Sequence, residues 1–114
     1  MRDVTIWHNP RCTTSRRVLA LLQARGITPE VRLYLQAPPD RAEITAVLAR
    51  LGRPATDLLR WNEAAVPEGL SRTSAEAAIL DALAADPRLI ERPVVIRGDA
   101  AQIGRPPEAV LDIL

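Results

Sequence analysis

The sequence contains no lysine: all fifteen of its basic residues are arginine. Much of this is overall composition, since alanine is abundant too. It still matters locally, because the planar guanidinium fork suits oxyanions. Cysteine occurs once, at Cys12. That rules out a disulfide within the chain and fits a reducing compartment. An excess of charge is also missing, since fifteen basic and fourteen acidic residues leave a net +1. Bulk charge therefore draws the chain to neither nucleic acid nor a membrane surface. No signal peptide and no long apolar run is visible, so the expected location is the cytoplasm. Repeats, low-complexity tracts and linkers are lacking as well. What is present is 114 residues, 47% hydrophobic and 25% charged, ordinary for a single soluble domain (1–114) with its own core.

The most informative stretch is Val4 to Arg17. Val4-Thr5-Ile6-Trp7 is a β-branched run that Asn9-Pro10 interrupts, because proline cannot donate to a ladder and asparagine favours turns. Thr13-Thr14-Ser15 then opens a helix with Val18, Leu21 and Leu22 at helical spacing. Cys12 falls at the strand-to-helix junction, where free N–H groups and the positive end of the helix dipole point. That field favours the thiolate, the reactive form of the side chain. A lone cysteine is often just a small buried hydrophobe. Here hydroxyls and arginines surround it and no apolar periodicity includes it. Cys12 is therefore expected to be a nucleophile at an anion-binding helix start.

The remaining chain alternates. A first helix over about Thr13–Arg25 ends at Gly26. Val31, Leu33 and Leu35 alternate with polar neighbours as a second strand, which a βαβ connection makes parallel to the first. A helical insert, about 40–87, follows. Asp40 with Glu43 resembles a capping box ahead of Ile44, Val47, Leu48 and Leu51. Thr56–Trp61 is expected as a shorter helix, and Asn62–Arg72 as loop. Thr73 with Glu76 repeats the cap pattern before Ile79, Leu80 and Leu83. Val94-Val95-Ile96, the turn Arg97–Ala100 and Gln102-Ile103 form a hairpin. A final helix over Glu108–Leu114 would bury Val110, Leu111 and Leu114. The expected fold class is α/β: a small mixed sheet, βαβ then ββα, with helices packed on it.

The blocks H-N-P-R-C-T-T-S-R, E-R-P-V-V and I-G-R-P-P-E-A-V-L-D-I-L, in that order from Val4 to Leu114, resemble the glutaredoxin-coupled arsenate reductase family, closest to its poorly characterised branch. The resemblance implies a thioredoxin-like fold with a helical insertion. It implies Cys12 as nucleophile, with His8 nearby and Ser15 as a hydroxyl that can bond the thiolate. Arg60, Arg92 and Arg105 match the oxyanion-binding arginines, and Pro93 matches a proline held in a cis peptide beside the active site. The chemistry is coherent, because a tetrahedral anion needs a positive cradle to approach a thiolate. Arginine binds such oxygens bidentately and keeps its charge.

The implied reaction is attack of Cys12 on arsenic and formation of a glutathione adduct. Glutaredoxin then removes the glutathione as a mixed disulfide, and arsenite leaves by hydrolysis. C-T-T-S lacks a resolving cysteine at the usual spacing, so external thiols are required. The expected partners are arsenate, glutathione as cosubstrate and a glutaredoxin. No tightly bound cofactor, metal, nucleic acid or membrane is implied. Two alternatives share this pattern: a glutathione-dependent thiol oxidoreductase acting on another substrate, and an Spx-like regulator binding RNA polymerase. The regulators typically carry C-x-x-C, and Ser15 stands at the second cysteine here.

Overall fold

A computed structural model describes residues 3–114. The order is β1 (Val4–Trp7), α1 (Thr13–Ala24), β2 (Glu30–Arg32), α2 (Arg41–Leu51), a 3₁₀ turn (Ala55–Asp57), α3 (Glu76–Ala85), a second 3₁₀ turn (Pro87–Leu89), β3 (Val94–Arg97), β4 (Ala100–Ile103) and a 3₁₀ segment (Pro107–Ile113). The four strands form one mixed sheet in the order β2-β1-β3-β4. β2 runs parallel to β1, and β3 and β4 are antiparallel to their neighbours. The α/β, thioredoxin-like arrangement expected from the sequence is therefore the one observed.

The period-2 alternation of the central strands sorts the core into two faces. Val4, Ile6 and Val95 join Val18 and Leu22 of α1 and Val110 in one cluster. Trp7 and Val94, one step along, face the helical stretch and pack with Ile44, Val47, Ile79 and Leu83. In α2, Asp40 accepts the Glu43 N–H and Glu43 accepts the Asp40 N–H, which is the capping box. Gly98, at φ 56°, opens the two-residue loop between β3 and β4, a position that suits glycine.

Four sequence expectations change. The second strand stops at Arg32, not Leu35. Val31 and Leu35 are exposed while Tyr34 is buried. The chain turns at Leu33 because Arg32 donates to the Ala37 and Pro38 carbonyls and pairs with Glu43. Thr56–Trp61 is not a helix, because Leu59 instead bridges Ile90. Thr73 does not cap α3, whose N-cap is Ala75. The Glu76 carboxylate reaches across to the Ala55 N–H. The last segment is 3₁₀, not α. Three residues per turn align Val110 with Ile113, so both pack inward while Leu111 is exposed.

Gly104 follows β4, and a Cβ there would lie 2.7 Å from Val18 Cγ2 and 2.9 Å from Pro93 Cγ. Val18 is fully buried and has little room to yield. Gly104→Ala is therefore expected to cost about 1–3 kcal/mol through overpacking. The check is a denaturant midpoint, and a midpoint equal to the parent's would refute the close fit.

Candidate active site

The loop between β1 and α1 is built by local hydrogen bonds. Asn9 O accepts the Cys12 N–H at 3.0 Å, closing a turn around Pro10 and Arg11. Asn9 Oδ1 accepts the Arg11 N–H at 3.0 Å, the side-chain turn that asparagine favours. Arg16 donates to the Pro10 carbonyl at 2.9 Å and fastens the loop to the helix. Cys12 becomes the N-cap of α1 with extended dihedrals, and its side chain caps no N–H. The residue is partly exposed and stands directly before the first turn, whose N–H groups have no partner within the helix.

Arg105 completes the contact from the far end of the chain. Its Nη2 donates to Cys12 Sγ at 3.7 Å, and its Nε donates to the Arg92 carbonyl at 2.9 Å. Gly104 aims this arginine, because its N–H is held on the Pro93 carbonyl at 2.9 Å. The Arg92–Pro93 peptide is cis, and so is Arg105–Pro106. Arg92 Nε and Nη1 are buried and, among the described residues, have no hydrogen-bond partner. Buried donors on a charged group are costly to leave unmet, so this guanidinium suits an acceptor that arrives from outside. The motif gave no hint that Arg92 differs in this way from the other arginines.

Arg60 arrives through the Leu59–Ile90 bridge. Its N–H donates to the Leu89 carbonyl, and the Glu91 N–H donates to the Leu58 carbonyl, both at 2.7 Å. The pairing sets the Arg60 and Glu91 side chains next to each other. Glu91 Oε1 lies 3.6 Å from Arg60 Nε, and its Oε2 lies 3.9 Å from Arg105 Nε. Arg60 also binds Glu63 at 3.0 Å. Burial pushes the Glu91 carboxyl above its usual range, against the opposing charges of Arg105 and Arg60.

His8 and Ser15 engage each other. His8 Nδ1 and Ser15 Oγ are 2.6 Å apart, and Ser15 Oγ also accepts the Asn9 N–H at 3.0 Å. The hydroxyl's hydrogen bonds thus go to the loop and to His8, with none to the thiol. His8 is almost fully buried. Burial, with a smaller push from Arg16, holds its pKa below the ordinary histidine value, so the neutral imidazole is favoured.

Tyr34 and Glu91 were not foreseen as site residues. Burial pushes the Tyr34 phenol up to about 12. The charges of Arg60, Cys12 and Glu91 act on it to a smaller degree. Its only sequence signal was a tyrosine within an apolar alternation. Glu91 had one available signal, its place immediately before Arg92-Pro93. Among the described residues, no cluster of His, Cys, Asp or Glu is suited to hold a metal ion, and no helix is long and apolar enough to cross a membrane.

Known proteins share this pattern. Residues 7–113 match the ArsC family. The chain belongs to that family. An uncharacterized protein of Escherichia coli K12, YfgD, is 44% identical over 99% of this chain and 98% of its own length. The arsenate reductase of Haemophilus influenzae is 40% identical over 98% of this chain and 99% of its own. Among solved structures, an arsenate reductase from Vibrio cholerae superposes with a TM-score of 0.92 at 41% identity, covering 100% of this chain and 98% of that one. This ArsC-family chain thus resembles these three along nearly their full length.

Proposed function

We propose that this ArsC-family chain reduces arsenate to arsenite through Cys12, with glutathione and a glutaredoxin as reductants. One observation carries the reading: the sole thiol caps α1 within reach of Arg105, which is itself joined to the Arg92 carbonyl and faces Glu91. A sulfur nucleophile beside cationic donors fits attack on a tetrahedral oxyanion. Arg105 and Arg92 would hold arsenate oxygens, and Arg60 would complete the cradle. His8 and Ser15 would position the loop that carries the thiol, and the Pro93 carbonyl holds the strand end that presents Arg105.

The Cys12 thiolate forms a bond to arsenic, and one arsenate oxygen leaves as water after taking up protons. A glutathione thiol replaces a second oxygen, again releasing water, and arsenic remains pentavalent. A glutaredoxin thiolate then attacks the glutathione sulfur. The As–S electron pair stays on arsenic, which becomes trivalent, and a glutaredoxin–glutathione disulfide departs. Water hydrolyses the Cys12–As bond and releases arsenite. With one cysteine, the chain itself can store no disulfide.

Multiple turnovers are therefore expected with glutathione plus glutaredoxin and none with thioredoxin alone. A coupled assay that follows NADPH consumption against arsenate reads this directly. Sustained turnover on thioredoxin without a small thiol would contradict the scheme.

A further inference from the structure

The Glu91 carboxylate lies between two of the three arginines assigned to the oxyanion, with its oxygens 3.6 Å from Arg60 Nε and 3.9 Å from Arg105 Nε. Both separations exceed a hydrogen bond, so charge alone holds the carboxylate, and an anion making real hydrogen bonds can displace it. The side chain is about three-quarters covered, at 25% exposure. Water therefore screens it less than it would a surface carboxylate. Glu91 also lines a cleft of about 320 Å³ together with Arg53, Asp57, Arg60, Trp61 and Arg72, an open space into which it can swing.

We propose that Glu91 is a resident anion of the oxyanion seat, which occupies Arg60 and Arg105 until substrate displaces it and so sets the affinity and selectivity of the site. The inference rests on the assignment of those arginines to the oxyanion. Glu91 acts here as a positioning and specificity residue, since it holds the guanidiniums and does not touch the reacting atoms. A seat containing a carboxylate discriminates by charge. A dianion competes with Glu91 for two guanidiniums better than a monoanion does, which favours tetrahedral dianions over monoanions such as chloride or acetate.

A pH dependence follows. Burial raises the Glu91 carboxyl, so it takes up a proton at a higher pH than an ordinary glutamate. Once neutral it no longer competes, and anion affinity should rise as pH falls through that raised value. The groups around it are Arg60 and Arg105 directly, Glu63 across Arg60, Cys12 beyond Arg105, Tyr34, on which its charge acts, and Arg53, Asp57 and Arg72 across the cleft. Tyr34 titrates far above this window. Replacing Cys12 by serine takes the reactive thiol out of the measurement.

The experiment is isothermal titration of the Cys12→Ser chain with sodium sulfate between about pH 4 and 8, a range that spans a raised carboxyl. Sulfate stays a dianion throughout. The added Glu91→Gln is expected to bind sulfate about tenfold more tightly at neutral pH, as removal of one nearby like charge implies, and with a smaller rise toward acid pH than its parent. Glu63→Gln, which removes an equal charge from Arg60 without vacating the seat, should have a clearly smaller effect. Equal affinities and profiles for Glu91→Gln and its parent overturn the inference and leave the oxyanion assignment standing. An equal gain in Glu63→Gln overturns it as well, because the effect is then general charge. If none of these chains binds sulfate, phosphate or arsenate, the inference and the oxyanion assignment fall together. Should Glu91→Gln fold poorly, the Cys12→Ser chain decides alone, since a sulfate affinity that does not rise toward acid pH overturns the inference.

Discussion

Cys12→Ser is expected to lower arsenate turnover by roughly 10³-fold or more, because a hydroxyl stays protonated at neutral pH and cannot replace a thiolate nucleophile. The same substitution should not harm the fold. Cys12 is the N-cap of α1, yet its side chain accepts no hydrogen bond from the first turn. Serine is among the preferred N-cap residues, and a cap of this kind contributes about 0.5–2 kcal/mol. The variant should therefore melt at or above the parent's temperature while losing its chemistry. The coupled assay and a thermal melt read the two effects separately. Substantial residual turnover in the purified variant would remove Cys12 from the reaction. A large drop in melting temperature would show that the thiol has a structural role instead.

Arg92→Met should also separate stability from function. Arg92 Nε and Nη1 are buried without a partner among the described residues. Replacing them by an apolar side chain of similar length removes the cost of unmet buried donors, about 1–3 kcal/mol. The expected stability is thus unchanged or higher. If those donors wait for oxyanion oxygens, arsenate turnover should fall by about 10²–10³-fold, the usual cost of one preorganised donor. Denaturant midpoints and kcat/KM measured together give the answer. Full activity in the methionine variant would exclude Arg92 from the cradle. Lost stability would mean that its unmet donors are satisfied in solution by some other group.

Much of this was legible locally. Cys12 stands out because an Asn9-Pro10 turn, a hydroxyl-rich helix start and a single thiol coincide within a few residues. The capping box at Asp40 and Glu43 and the turn at Gly98 were equally readable, since their hydrogen bonds span only a few positions. Failures came where a long-range partner won. Thr56–Trp61 has helical spacing, but Leu59 finds Ile90 and pairs with it. Leu35 alternates like a strand residue, but Arg32 pulls the chain toward Pro38 and Glu43. Thr73 and Glu76 spell a cap, but Glu76 spends its carboxylate on Ala55.

By itself the sequence determined the elements whose signals are short in range: β1, the helix start at Cys12, the amphipathic α2 and the closing hairpin, together with the family pattern that orders them. Only the tertiary structure decided which charges meet. Arg105 reaches Cys12 across 93 positions, and Arg60 meets Glu91 because of one bridge outside the main sheet. Spacing along a chain specifies which side chains share a helix or strand face. It does not specify which of fifteen arginines will share a pocket with the thiol, because that depends on how distant segments pack.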